Sequence, residues 1–409
     1  MRYWTILLGL AAFAAHAQST EPLVQRGNVI YLGAFRVPEG NSPQTSFDYG
    51  GTALTYNAAH NSLYLVGHDW YQRTAEISIP QLVASAQISQ LATATFLQPF
   101  ADALEGHLSS VNPASPNSKK IGGELVYDDK LIVSDYSFYD ANGTQSTSHF
   151  SRPVDLSVTG QIVGPIRVGS LYPGFVDGYM AAVPQEWQAL LGGPVLTGNC
   201  CGNIISVQSN GPAVSTFDPA TLTAGVSQVA STQLLGYPYP RELGPGRTTQ
   251  NPYFNLTTRI SGVVFPMGTR SVLFFGRQGV GPYCYGIGTS AQPLPSGPYC
   301  YDPGNSAKGT HAYPYTYQVW AYDANDLAAV KSGRKLAYQL TPYSIWTFTL
   351  PTPDPTGQDL LGGVGYDPQS GRIYLSQRCA DASCAPIIHV LKIDASAPIP
   401  APPTSVLVR

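Results

Sequence analysis

The sequence predicts an all-β fold and, within that class, a β-propeller of five four-stranded blades. Three observations carry the prediction. Charged residues make up only 11% of the chain, while Gly (41), Pro (35) and Tyr (26) are abundant; globular domains usually carry about 25% charge, and this composition favours strands and turns. A short pattern recurs, with Tyr56 and Leu63-Tyr64-Leu65 near one end returning as Tyr366 and Ile373-Tyr374-Leu375 near the other. A third, shorter copy is Leu125-Val126-Tyr127 followed by Leu131-Ile132-Val133, and a double glycine precedes each copy: Gly50-Gly51, Gly122-Gly123 and Gly362-Gly363. Self-similarity at this scale is the mark of a repeat architecture.

Taken in order, residues 1–17 read as a secretory signal. Arg2 supplies the charge, an apolar and small-residue run follows, and Ala15-His16-Ala17 forms an A-x-A cleavage site. The run is too short to span a bilayer, and nothing later approaches ~20 continuous apolar residues. The expected location is extracellular or periplasmic. Residues 18–394 are expected to form one domain and 395–409 a Pro-rich tail.

The repeats phase the domain into units with strands a to d, inner to outer. Unit one has strands at 51–56, 62–67, 71–79 and near 93–98. Unit two has them at 123–127, 130–135, near 149–157 and at 162–169. Unit three has them at 178–183, near 194–197, at 204–217 and 228–236, and unit four at 259–265, 271–276, 315–322 and 336–349. Unit five has only three, at 362–366, 372–377 and 386–393. Its missing outer strand is matched by an orphan at 29–37 (VIYLGAFRV), and pairing the two removes a sheet edge. The competing folds are a β-sandwich and a propeller with another blade count.

Six cysteines in an exported chain point to disulfides, and no C-x-x-C pair suggests zinc. Cys284 and Cys300 lie in near-duplicate Pro-Tyr-Cys-Tyr settings, and Cys379 and Cys384 flank a tight loop. Cys200 and Cys201 are adjacent between Gly198 and Gly202, where a vicinal bond is the expectation.

In a propeller the d–a and b–c connections share one face. The a–b turns here are ordinary Asx/Gly/Pro hairpins. The b–c loops are richer: His68-Asp69-Trp70, Asp135 to Ser148, Cys200-Cys201, Arg277 to Pro314 and Arg378 to Cys384. Function concentrates in such loops on a rigid scaffold. Asp48, Glu124 and Asp177 sit at the start of three consecutive inner strands, where acids in a charge-poor chain cost solvation energy unless paired or used. Used as a set they suit glycoside hydrolysis, one protonating the leaving oxygen and another activating water or attacking. The structural alternative is that each caps a turn or pairs with Arg259.

A second chemistry is open. His68, His149 and His311 lie in or beside b–c loops near Tyr139 and other tyrosines, with Arg259 and Arg277 available to steady a uronate. That is the equipment of a polysaccharide lyase, which abstracts a proton beside an acid group. Trp70 and Tyr139 can stack on sugar faces in either case, while Asp135 and Asp359 complete the candidate binding residues. A third reading is a non-catalytic propeller binding glycan or protein. The expected partner is a poly- or oligosaccharide; the net charge of −3 excludes electrostatic attraction to nucleic acid. No cofactor or metal is expected: Gly279-Val280-Gly281 lacks a strand–helix setting, and Asp140-Ala141-Asn142-Gly143 and Asp323-Ala324-Asn325-Asp326 read as turns.

The inferred architecture resembles the five-bladed glycosidases of the arabinanase, β-xylosidase and levansucrase kind, which place three essential acids on the inner strands of consecutive blades. Asp48, Glu124 and Asp177 match that arrangement in order. The resemblance covers the propeller as a whole and is architectural; it implies a glycosidase whose base or nucleophile, modulator and acid are these three residues.

Overall fold

The computed structural model describes residues 18–200, 206–239 and 253–395. The expected signal segment, Cys201 and tail residues 396–409 lie outside the described residues.

The chain opens on β1 (Val29–Arg36) and then lays down antiparallel sheets in succession. The first sheet is β2 (Leu54–Asn57), β3 (Ser62–Val66), β4 (Thr74–Ser78) and β5 (Phe96–Ala101). The second is β6 (Lys119–Tyr127), β7 (Lys130–Ser137), β8 (His149–Pro153) and β9 (Val163–Val168). The third is β10 (Met180–Ala182), β11 (Val195–Thr197), β12 (Val214–Phe217) and β14 (Thr232–Leu235); β13 (Gln228–Val229) instead joins the second sheet, parallel to β9. The fourth is β15 (Arg259–Val264), β16 (Ser271–Gly279), β20 (Tyr315–Asp323) and β21 (Ser344–Phe348). Between β16 and β20, a small sheet of β17 (Cys284–Thr289), β18 (Tyr299–Tyr301) and β19 (Lys308–His311) fills the loop. The fifth is β22 (Leu361–Asp367), β23 (Arg372–Gln377) and β24 (Ile387–Ile393), and β1 pairs antiparallel with β24 from Val29↔Ile393 to Arg36↔Ile387.

The result is all-β and propeller-like. The strand assignments need four corrections, the first being that the strand expected at 204–217 is strand only at Val214–Phe217 among the described residues. The expected strand at 228–236 divides between two sheets, with β13 on the second and β14 on the third. The stretch 336–349 becomes strand only from Ser344, after a 3-10 turn at Ala337–Gln339. Two helices were unexpected: α1 (Gln185–Leu191) and α2 (Ala324–Lys331). The segment Asp323-Ala324-Asn325-Asp326, expected to be a turn, starts α2, with the Asp323 carboxylate accepting the Asn325 N–H at 2.9 Å.

The core lies between sheets. β3 is buried throughout, and its side chains alternate. Leu63 and Leu65 pack toward Tyr374 and Ile388 of the fifth sheet, whereas Tyr64 and Val66 pack toward Leu131 and Phe150 of the second. β23 repeats this arrangement, with Ile373 and Leu375 facing the fourth sheet and Tyr374 facing the first. The recurrent apolar-Tyr-apolar triplet is thus the section of a strand buried on both sides. The double glycines set the spacing at the centre, where β2 lies beside β6 and β22. A Cβ on Gly363 would fall 2.1 Å from the Leu54 nitrogen, and one on Gly122 would fall 2.0 Å from the Asp177 carbonyl oxygen. Only glycine allows backbones this close.

Candidate functional site

The three inner-strand acids do not meet. Asp48 is half-buried and lines a recess with Arg36, Glu39 and Asp381. Glu124 is 2% exposed and faces the first sheet, where its Oε1 accepts the Thr74 hydroxyl at 2.5 Å while Oε2 has no partner. Burial pushes its pKa to about 8, opposed only by that hydroxyl. Asp177 lines a different recess with Tyr136, Asp140, Gln145 and Cys200. The expectation that the acids converge on one channel is therefore corrected. In β6, the neighbours Leu125 and Val126 pack toward the third and first sheets respectively, and strand parity puts Glu124 on the Val126 side.

Asp177 and Asp135 form a buried acid cluster instead. Burial raises both well above the ordinary carboxylate range; the Asp177 charge adds to the shift at Asp135, and Asp140 to that at Asp177. The Cys200 backbone N–H and the Gln145 side chain oppose the shift at Asp177. Both Asp135 oxygens lack hydrogen bonds; the Tyr136 and Lys120 N–H groups lie near without bonding geometry. Burial and mutual repulsion both favour the protonated form of such a pair.

A cavity of about 580 Å³ opens on the loop face. It shares Phe138, Cys200 and Gln208 with the wall of the Asp177 recess. Tyr139 and Tyr285, both largely exposed, stand on its wall, and Asn210, Asn255 and Thr258 add amides and a hydroxyl. Arg259 and Arg277 also line it. They are direct cross-strand partners on β15 and β16, so both leave the same face of the sheet. Arg259 donates to the carbonyls of Leu256 (3.2 Å) and Thr258 (2.9 Å). Arg277 donates through Nη1 to the Gln358 carbonyl and to Gln358 Oε1 (3.1 Å), and its guanidinium lies 4.6 Å from the Tyr315 ring centre. Burial and the neighbouring Arg259 lower Arg277 to about 10, so it remains a cation at neutral pH.

The histidines have other tasks. His149 is fully buried between Ser148 (2.8 Å) and Thr197 (3.0 Å), and burial lowers it to about 3. His311 is sealed against Asp302 at 2.8 Å. His68 contacts the rings of Tyr49 and Tyr71, and its Nδ1 accepts the Trp70 N–H at 3.1 Å. Trp70 itself is 81% exposed at the tip of the first b–c loop. Asp359, in left-handed backbone (φ 47°), is raised to about 6 by burial and then by Asp354. The bonds Cys284–Cys300 and Cys379–Cys384 are both present. The first ties β17 to β18 beside the cavity.

Sequence reading did not single out Asp302, Gln358 or Lys308. Asp302 accepts from Gln358 Nε2, from the Tyr315 hydroxyl and at His311 Nδ1, each at 2.8 Å. No local pattern marks it, because its partners come from two separate stretches of chain, 311–315 and Gln358.

No protein-family model matches the sequence, and no curated protein is recognisably similar to it. Several solved structures share its outline at low identity. A glycoside hydrolase candidate from Parabacteroides distasonis has a TM-score of 0.42 and 12% identity, over 91% of this chain and 97% of that one. An endo-arabinanase from Bacillus licheniformis has 0.38 and 11%, over 86% and 95%. An exo-1,5-alpha-L-arabinanase from a bovine ruminal metagenomic library has 0.39 and 10%, over 85% and 94%. Values this low leave function to be argued from the chain's own geometry.

Proposed function

We propose that the chain is a carbohydrate-active protein, a five-bladed propeller whose last blade borrows its outer strand from β1, and that it binds glycan in the loop-face cavity. The cavity carries this reading. Tyr139 and Tyr285 offer faces for sugar rings, while the amides, hydroxyls and guanidinium groups around them match the hydroxyl-rich edge of a saccharide. Its volume of about 580 Å³ suits a short oligosaccharide. The two disulfides fit an oxidising, extracytoplasmic setting. Among the described residues, no helix is long and apolar enough to cross a membrane.

Of the chemistries considered, hydrolysis has the better support. Asp177 lies next to the cavity, and burial raises its affinity for a proton, the direction a general acid for a leaving glycosidic oxygen requires. Elimination needs a base facing the sugar; none of His68, His149 and His311 lines the cavity, which leaves Tyr139 on its wall as the candidate base. The test is incubation of the purified protein with neutral and acidic polysaccharides, with new reducing ends measured for wild type and Asp177→Asn. Reducing ends that disappear in the variant, with binding retained, are the expected result. Absorbance at the unsaturated-uronate band would replace hydrolysis by elimination. Failure to bind any glycan would overturn the reading altogether.

A further inference from the structure

Resting on that glycan-binding reading, we propose that the ligand is acidic and that Arg277 receives an oxyanion carried on the sugar, a carboxylate or a sulfate. Three observations converge on this.

The first is the lining. Arg259, Arg277 and the exposed Lys308 all face the cavity, and no Asp or Glu is among the described residues that line it. Cations on a described wall that carries no acid favour an anionic ligand over a neutral one.

The second is preorganisation. Arg277 is clamped on one side only: both of its hydrogen bonds use Nη1, and both go to Gln358. Gln358 is 4% exposed and is itself held by Asp302 through Nε2. The Tyr315 ring that stacks on the guanidinium is fixed by its hydroxyl on the same carboxylate. Asp302, 1% exposed, thus positions the guanidinium through two intermediaries without bonding to it. The fork edge of Arg277, Nε and Nη2, donates to nothing among the described residues. A planar fork in fixed orientation is the geometry that takes a carboxylate or sulfate bidentately.

The third is placement. The guanidinium shares its cavity with Tyr139 and Tyr285, so an anionic substituent at Arg277 leaves the rest of a sugar within reach of the aromatic wall.

Calorimetric titration compares matched probes: oligogalacturonate against its methyl ester, and dextran sulfate against dextran. The acidic member of at least one pair should bind at least about tenfold more tightly, and its affinity should fall as sodium chloride is raised. The pair that discriminates identifies the oxyanion. Arg277→Lys keeps charge and loses the fork, and should cost about tenfold or more; Arg277→Gln should cost about a hundredfold. Lys308→Gln, on the exposed rim, preserves the fold and should weaken binding severalfold if the Arg277 variants prove unstable. Equal binding of charged and neutral probes, or affinity unchanged in both Arg277→Gln and Lys308→Gln, would overturn the proposal and leave the glycan reading intact. Binding to none of the probes would overturn both.

Discussion

Replacing Glu124 by Gln should make the protein less sensitive to alkali. The carboxyl is 2% exposed, and only Thr74 bonds to it, so its pKa stands at about 8 rather than 4.5. Below 4.5 both folded and unfolded chains hold the proton, and pH has no leverage through this group. Between 4.5 and about 8 only the folded chain holds it, so folding loses free energy as pH rises; above about 8 the loss is complete. At ~1.4 kcal/mol per tenfold change in proton affinity, the full interval corresponds to something on the order of 5 kcal/mol. Relaxation and water entry around the ionised group will reduce this, and about 2 kcal/mol is a safe lower expectation. Glutamine keeps the shape and the acceptor for Thr74 and cannot ionise. The assay is urea unfolding of wild type and Glu124→Gln at about pH 5 and about pH 9, reading the change in their stability difference. The variant should gain at least about 2 kcal/mol on the wild type across that range. A difference constant to within about 0.5 kcal/mol would refute the reasoning, because a carboxyl already ionised at pH 5 leaves no proton to lose. The same variant should bind glycan as the wild type does, since Glu124 does not line the cavity.

Further outcomes follow from other buried groups. His149 and His389 are lowered from 6.5 to about 3 by burial, so their ring resonances should stay constant from about pH 8 to pH 5. Stability should decline as pH falls from 6.5 toward 3, and His149→Gln should flatten that decline; a ring titrating near 6.5 would refute the burial argument. Gly363→Ala should cost more than about 3 kcal/mol in a denaturant titration, because its Cβ meets the Leu54 nitrogen, whereas Gly309→Ala, with open space around it, should stay within about 0.5 kcal/mol. Non-reducing peptide maps should join Cys284 to Cys300 and Cys379 to Cys384. Serine at both Cys284 and Cys300 should open the 285–299 segment to protease and weaken glycan binding, at a stability cost of up to about 3 kcal/mol; an intact segment would show the small sheet to be self-sufficient.

Much of the fold was legible because its determinants are local and periodic. The Leu63-Tyr64-Leu65 and Ile373-Tyr374-Leu375 triplets announce strands buried on both faces, and the double glycines announce inner strands packed backbone to backbone. The helices were missed for a local reason too: Gln185–Leu191 is short, and the cap at Asp323 resembles a turn until its bond to Asn325 is seen. The site was less legible. Placing Asp48, Glu124 and Asp177 near inner-strand starts said where their backbones lie; strand parity and loop path decide where a carboxylate points. For Glu124, the Leu125-Val126 pair held enough information to give the answer. For Arg277 it did not, because Gln358, Asp302 and Tyr315 become neighbours only after the fourth and fifth sheets assemble.

The pairing of β1 with β24 has a bearing on how the protein is made. Val29–Arg36 finds its partner only after residues 37–386 have been made. At roughly 5–20 residues per second, β1 waits for tens of seconds with an unsatisfied edge. Four sheets can form meanwhile from strands near one another in sequence; the fifth stays incomplete until Ile387–Ile393 has been made. A chain in this state remains threadable, which suits any route that carries it unfolded through a pore. A premature stop before Ile387 would leave Val29–Arg36 as a permanent open edge, a template for joining copy to copy.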